Sequence, residues 1–376
     1  MGLRILNMID SLIAAGAERM AVNIANGLAD VGIDSYLCAT HSSGDLARFF
    51  YDREKLLVAN KKGFLDIVAF WRILRFVQKH RIQVIHSHSS SVYWACAIKM
   101  FRPGLKVVWH DHFGMSDYLE KRDKRGLLFC RKLIDYAFVV NSNLLRYAVE
   151  VLKFDPDRVY YLRNFPDLNF ANVDLGTVNL PNEDKGPKIL SLANIRPQKD
   201  HATLLTSFEK VLQQYPYAQL YMVGGDNQDE YLESVRNLSS KIDPARQHIH
   251  LLGSRTDVET ILQKCQVGVL SSISEGLPVS LLEYGLAKLP VVSTAVGECA
   301  DVLGNGEFGM LISPRDPDAL ADAIVKCLSG NGEVKDMANR FHLRVMESYS
   351  KQSAIGRIVM TYRLLLGEGM LWNHYD

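Results

Sequence analysis

Val267-Gly268-Val269-Leu270-Ser271-Ser272-Ile273-Ser274-Glu275-Gly276-Leu277-Pro278-Val279-Ser280-Leu281-Leu282-Glu283 reads as a strand, a polar loop and the start of a helix. The apolar run Val267–Leu270 suits a strand covered on both faces. Pro278 stands where proline is tolerated, at the first turn of a helix running to Ala287. A strand that leads straight into a helix is half of a parallel β–α–β unit. The same unit recurs in both directions along the chain. Strand Pro290–Thr294 and helix Pro317–Leu328 follow it. Before it come strand Lys188–Ala193, helix Ala202–Gln214, strands Gln219–Val223 and Ile249–Leu252, and helix Val258–Lys264.

The first half repeats the pattern. Arg4–Met8, Ser35–Thr40, Val84–His88, Lys106–His110 and Ala137–Asn141 read as strands. Helix Ala17–Val31 places Met20, Ile24 and Leu28 on one face and closes at Gly32. Helix Phe64–His80 is expected to turn Ile67, Phe70, Leu74 and Val77 inward. Residues 170–187 (Phe170 to Pro187) are rich in Asn, Asp, Gly and Pro without periodicity, and read as a linker. A chain of 376 residues is long enough for two cores. The expected fold is α/β, with two doubly wound, Rossmann-like domains facing a cleft. The N-terminal domain is expected over 1–169, the linker over 170–187 and the C-terminal domain over 188–354.

Formal net charge is +1, which gives no support to nucleic-acid binding. The charge is divided unevenly. Residues 1–165 hold 24 Lys and Arg against 16 Asp and Glu, and the remainder holds 19 against 26. A basic first half suits an anionic acceptor or anionic lipid headgroups; unpatterned surface charge reads equally well. Lys121–Lys132 sets six cations around Leu127, Leu128 and Phe129, in the manner of an interfacial helix or of a helix packed on its own domain. The cysteines (Cys38, Cys96, Cys130, Cys265, Cys299, Cys327) lie far apart, and no pair has metal or redox spacing. They read as thiols in a reducing compartment. The first strand replaces a signal peptide, and no apolar run reaches membrane-spanning length. A cytoplasmic protein, peripheral at the inner face of a membrane, is expected.

Several segments could carry chemistry. The backbone N–H groups of Val279, Ser280 and Leu281 are expected to be free donors at a helix N-terminus, where the dipole favours a phosphate. A diphosphate there leaves a sugar near Glu275 and a ribose near Glu283, since a carboxylate accepts two hydroxyl hydrogen bonds. The bland alternative is an ordinary strand–loop–helix with two exposed glutamates. Asn194-Ile195-Arg196-Pro197-Gln198-Lys199 puts two cations after strand Lys188–Ala193. Arg196 and Lys199 suit a diphosphate clamp, or form a solvated basic turn. Ala14-Ala15-Gly16-Ala17-Glu18-Arg19 allows close backbone approach at Gly16, or is simply a tight turn. Trp109-His110-Asp111-His112 ends a strand, as do His86 and His88. Histidine after Trp109 suits hydroxyl binding or proton relay, His86 and His88 read most simply as strand-end residues facing the cleft or a neighbouring loop, and each single histidine reads equally as a satisfied structural residue. For a metal, no third ligand is evident at His110 and His112.

Taken together, the chain resembles a family-4 retaining glycosyltransferase of the GT-B fold. The resemblance runs from Gly16 to Ile312. Glu275 to Glu283 is similar to the family's E-x7-E motif, and Leu289–Thr294 and Gly309–Ile312 follow in order and spacing. By this resemblance Glu275 meets the donor sugar, Glu283 the ribose, and the Ser280 and Leu281 backbone the diphosphate. Lys199 becomes the phosphate-binding lysine, Gly16 the glycine beside the leaving phosphate, and His110 the first-domain histidine near the sugar. Gly253-Ser254-Arg255 falls where the nucleobase lies. Asn194 stands where the family often has its phosphate-binding arginine, and Arg196 is the substitute. Asn164-Phe165-Pro166-Asp167 lacks the glycine that many relatives carry after the asparagine. The last helix, about 355–376, is expected to return to the first domain.

The resemblance implies sugar transfer with retention from a nucleotide diphosphate sugar, UDP-sugar ahead of GDP-sugar, to a glycan or lipid-linked acceptor. No residue is an obvious nucleophile for double displacement, and the resemblance implies front-face transfer. The cations fill the role of a divalent metal, and neither metal nor other cofactor is expected. Two other classes remain: a sugar-nucleotide epimerase of related fold and an inactive nucleotide-sugar-binding scaffold.

Overall fold

A computed structural model describes residues 2–368 apart from 14, 15, 64, 115–118, 169, 171–175, 177 and 227. The expectations for Ala14, Ala15, most of the linker and the chain end beyond 368 lie outside the described residues. The chain forms two compact units, one of residues 1–164 with 351–376 and one of residues 165–350.

The first unit holds β1 (Arg4–Ser11), β2 (Asp34–Ser42), β3 (Leu56–Val58), β4 (Val84–His88), β5 (Lys106–Asp111), β6 (Tyr136–Val139) and β7 (Val159–Tyr161). All pair in parallel, in the order β3-β2-β1-β4-β5-β6-β7. Successive strands run outward from β1 to β3, and the chain then crosses back to β4. That reversal makes the β1/β4 boundary a topological switch point. The helices are α1 (Gly16–Asp30), α2 (Ile67–Lys79), α3 (Val92–Phe101), α4 (Arg125–Cys130) and α5 (Ser142–Arg146).

Two helices depart from expectation. Asp66 accepts a hydrogen bond from the Ala69 N–H at 3.0 Å, so α2 begins at Ile67 rather than Phe64. Its buried stripe is Ala69, Ile73, Leu74 and Val77. Ile67, expected inward, is exposed with Val68 and Trp71. Phe101 of α3 packs 6.3 Å from Trp71, and Met100 beside it is also exposed. Within Lys121–Lys132, α4 buries Leu127 and Cys130 in its own unit. Arg122 there forks onto Asp111 at 2.6 and 2.9 Å. That helix packs on its own domain.

The second unit holds β8 (Lys188–Leu192), β9 (Gln219–Val223), β10 (Ile249–Gly253), β11 (Val267–Leu270), β12 (Val291–Thr294) and β13 (Met310–Ile312). They too are parallel, ordered β10-β9-β8-β11-β12-β13, with the reversal between β8 and β11. Helices α6 (His201–Gln214), α7 (Glu230–Ile242), α8 (Val258–Lys264), α9 (Val279–Leu286), α10 (Cys299–Val302), α11 (Pro317–Leu328) and α12 (Gly332–Ser348) surround the sheet. Tyr284 anchors α9 to the sheet. Its buried hydroxyl accepts from the Leu192 N–H at 2.7 Å and donates toward the Val269 carbonyl at 3.2 Å. Gly268 leaves room for the ring: a Cβ there would stand 2.5 Å from Tyr284 Cγ. Part of the expected linker packs here, since Val178 and Leu180 are buried and Pro181 accepts from the Tyr221 hydroxyl at 2.7 Å.

The chain then returns to the first unit as α13 (Lys351–Leu365), with Ile355 against Gly27 of α1. All six cysteines are buried and unbridged.

Candidate functional site

In open parallel sheets, ligands sit beyond the carboxyl ends of the strands at the switch point. In the second unit this is where the loops after β8 and β11 meet. The Ile273 N–H donates to the Gln198 carbonyl at 2.8 Å, and the Ser271 hydroxyl to the Lys199 carbonyl at 2.9 Å. These bonds bring together two side chains distant in sequence: Lys199 Nζ lies 2.5 Å from Glu275 Oε1. The Ser272 hydroxyl donates to the same oxygen at 2.6 Å. Glu275 and Glu283 are only 6% and 9% exposed, which overturns the reading of two exposed glutamates. A carboxylate survives burial when paired and hydrogen-bonded, and Glu275 is both.

The cation loop divides its labour. Asn194 Oδ1 accepts from the Gly225 N–H at 2.9 Å and so braces the neighbouring turn. Arg196 is half-buried, with no ion pair or side-chain hydrogen bond to a described residue. Asp200 then takes a left-handed conformation (φ 46°) and caps α6 through the Thr203 N–H at 3.3 Å. The helix end after β11 needs a correction. The Leu281 N–H already donates to the Pro278 carbonyl at 3.2 Å. The donors left for an anion are Val279 and Ser280, because α9 begins with a tight turn. Arg255 also differs from a free base-contacting residue: it forks onto Asp257 at 2.8 and 2.5 Å. That pair holds the Asp257 carboxyl below its usual range.

In the first unit, Gly16 opens α1, and among the described residues nothing beyond its chain neighbours and own helix backbone lies within 4 Å of where a Cβ would stand. His110 is the last residue but one of β5 and is buried. The β4/β5 register sets His88 beside His110, and four imidazoles stack across these strand ends. His86 Nε2 is 3.2 Å from His110 Nδ1, and His88 Nδ1 is 3.1 Å from His112 Nε2. Burial pushes His86 and His112 down to about 3, and His88 and His110 well below the ordinary value, so the rings are neutral at physiological pH.

Two family profiles match this chain. Glycosyltransferase Family 4 covers residues 14–170, and Glycosyl transferases group 1 covers residues 186–330. The chain belongs to the family-4, group 1 glycosyltransferases.

Membership makes this glycosyltransferase a sugar-transferring enzyme of hexosyltransferase type. It is similar to a subunit of the phosphatidylinositol N-acetylglucosaminyltransferase of Arabidopsis thaliana, 26% identical over 76% of this chain and 63% of that one. The match thus spans less than two thirds of that relative's length. The UDP-Gal:alpha-D-GlcNAc-diphosphoundecaprenol alpha-1,3-galactosyltransferase of Escherichia coli is 21% identical over 70% of each chain. Among solved structures, Anabaena HepE in complex with UDP and glucose superposes with a TM-score of 0.78. That match has 15% identity and covers 96% of this chain and 99% of that one. The likeness shows the GT-B fold of two parallel-sheet α/β domains.

Within the glycosyltransferase, some residues of the site escaped sequence reasoning. Gly297 has φ 52°, and a Cβ there would stand 2.0 Å from the Glu275 carbonyl oxygen. The Thr294 hydroxyl donates to the Ser272 carbonyl at 2.6 Å. Ser272 itself lies inside the quoted stretch, and its spacing of three from Glu275 was the available signal. For a metal, the fold brings His86, His88 and His110 together with ligand nitrogens within 4.8 Å. Sequence spacing showed no such third partner. Both nitrogens of His86 are already hydrogen-bonded, so its ligation requires breaking one of those bonds.

Proposed function

We propose that the protein transfers a hexose, with retention, from a UDP-sugar to a glycan or lipid-linked acceptor in surface-polysaccharide assembly. The observation that carries this reading is the buried Lys199–Glu275 pair beside the α9 N-terminus. A diphosphate entering there meets the Val279 and Ser280 N–H groups, the Lys199 ammonium and the Arg196 guanidinium. These groups stabilise charge as it develops on the leaving diphosphate. Glu275 binds sugar hydroxyls, Glu283 takes the ribose, and Arg255 with its backbone neighbours lines the base. In the first unit, His110 is assigned to hydroxyl binding and Gly16 to close approach by a phosphate, each at the carboxyl ends of that unit's own strands. Acceptor attack on the same face as the leaving group lets the donor's phosphate oxygen receive the acceptor proton. The protein cations take the electrophilic role, so no divalent metal is essential.

UDP is supported as the donor nucleotide by the UDP in HepE and the UDP-galactose named for the E. coli relative. A lipid-linked acceptor is supported by that same relative's diphosphoundecaprenol. No helix among the described residues is long and apolar enough to cross a membrane. We assign contact with anionic lipid to the exposed Ile67, Val68, Trp71, Met100 and Phe101, flanked by exposed Arg72, Arg75 and Arg102.

The test is a thermal shift with UDP, GDP and ADP, each with and without EDTA. A ligand bound only by the folded state raises the melting temperature by mass action. A shift with UDP that EDTA leaves unchanged is expected. A folded protein that no nucleotide shifts would return the chain to a scaffold role.

A further inference from the structure

We propose that Ser272 is a positioning residue for Glu275: its hydroxyl and the Lys199 ammonium together fix one carboxylate oxygen, so that the other, Oε2, is the oxygen offered to a donor-sugar hydroxyl. The proposal rests on the reading above that Glu275 binds the sugar. It involves only residues of the second unit.

The last side-chain torsion of a glutamate is broad and roughly two-fold, so its carboxylate has no preferred orientation of its own. To present one particular oxygen to a ligand, it has to be held from outside. Two donors do this from different parts of the chain. Lys199 Nζ, after β8, and the Ser272 hydroxyl, after β11, both meet Oε1, at 2.5 and 2.6 Å. A carboxylate paired with an ammonium only accepts, so the direction of the serine bond is fixed. Its length is that of a charge-assisted O–H···O⁻ bond. Oε2 accepts from no described residue and is not sealed from solvent. One oxygen is therefore an anchor, and the other is left for a ligand.

Ser272 sets this geometry because it is itself held. It is completely buried, and its carbonyl accepts from the Thr294 hydroxyl at 2.6 Å. Thr294 is the last residue of β12, so the clamp is anchored in the sheet. Ser271, next in the chain, donates to the Lys199 carbonyl at 2.9 Å. Adjacent serines thus hold both members of the pair, Ser271 the main chain of Lys199 and Ser272 the side chain of Glu275. Lys199 alone does not fix the carboxylate, because an ammonium on a flexible four-carbon stem follows it as it turns. A short hydroxyl on a clamped backbone does not follow. A group that only orients a binding side chain changes affinity for the part of the ligand that side chain touches, and for no other part.

The experiment is calorimetry of the full-length protein with UDP, UDP-glucose, UDP-galactose and UDP-N-acetylglucosamine, the tightest-bound sugar nucleotide serving as the probe. Ser272→Ala should weaken the probe about five- to tenfold, the loss of roughly one hydrogen bond, and leave the UDP Kd within about twofold. In a Glu275→Ala background the same substitution should change neither, because Ser272 acts only through Glu275. A merely structural role would not produce that non-additivity. Ser272→Cys, a weak donor of similar shape, should fall with Ser272→Ala and takes its place if Ser272→Ala does not fold. A Ser272→Ala protein that binds the probe like wild type, while Glu275→Ala does not, overturns the proposal and spares the sugar-binding reading of Glu275. An equal loss from Ser272→Ala in the Glu275→Ala background overturns it too. A Glu275→Ala protein that binds the probe like wild type removes the sugar-binding reading, and the proposal with it.

Discussion

Lys199 Nζ and Glu275 Oε1 stand 2.5 Å apart, and their bond ties the loop leaving β8 to the loop leaving β11. These are the two strands at which the second sheet reverses direction. The pair therefore sits where an open α/β sheet presents its ligand crevice. It also balances the charge of the buried Glu275 carboxylate.

Glu275→Gln keeps the Ser272 hydrogen bond and the volume but removes the charge. Transfer should fall about 10- to 10²-fold, the cost of replacing a charge-assisted hydrogen bond to a sugar hydroxyl by a neutral one. Lys199→Ala should weaken UDP binding, seen by calorimetry, and also lower the melting temperature. Near-wild-type turnover by Glu275→Gln would end its catalytic assignment.

Gly297→Ala combines two penalties at one residue. Its φ of 52° disfavours a side chain, and the new Cβ meets the Glu275 carbonyl at 2.0 Å. A loss of about 2–3 kcal/mol is expected in urea denaturation, together with displacement of the Glu275 loop and reduced transfer. Wild-type stability in this variant would show that the loop can shift without strain.

Acid should loosen the first unit through its histidines. Their folded pKa values are depressed, to about 3 for His86 and His112, while the unfolded chain titrates near its ordinary value. Between those limits the unfolded state binds more protons, so stability falls as pH drops below about 6.5. Each buried histidine contributes a slope of up to about 1.4 kcal/mol per pH unit. Melting curves at decreasing pH check this, and His88→Asn should flatten the dependence. A stability independent of pH across this window would mean that the rings are protonated when folded.

The exposed apolar face of α2 and α3 predicts lipid dependence. Trp71→Ser combined with Val68→Ser should weaken sedimentation with anionic vesicles about tenfold or more, since each large side chain contributes about 1–2 kcal/mol. Phe129→Ser is the control: Phe129 is 75% exposed, but it sits on α4, whose neighbouring Arg122 is held by Asp111. Equal loss from the control would shift the contact to α4.

The alternation of strands and helices was legible because it depends on local periodicity. Tyr284 and Leu281 bury where the spacing within α9 puts them, and Asp66 caps α2 through its own next turn. The helix boundaries slipped where such short-range bonds decide. Asp66 moved the start of α2 past Phe64 and left Ile67 facing outward. The Pro278 carbonyl took the Leu281 N–H that helix geometry alone would leave free.

The parallel α/β class, the positions of Lys199 and Glu275 at strand ends, and the E-x7-E spacing were all determined by sequence, since each follows from residues close along the chain. Tertiary structure alone decided which strand ends are neighbours. Sheet order places β4 against β5 and so stacks His86 and His88 on His110 and His112. It also brings Gly297 beneath Glu275, and α13 back to set Tyr362 on His86 across 276 residues. Such contacts arise from packing between distant elements, and neither spacing nor composition encodes a distance through space.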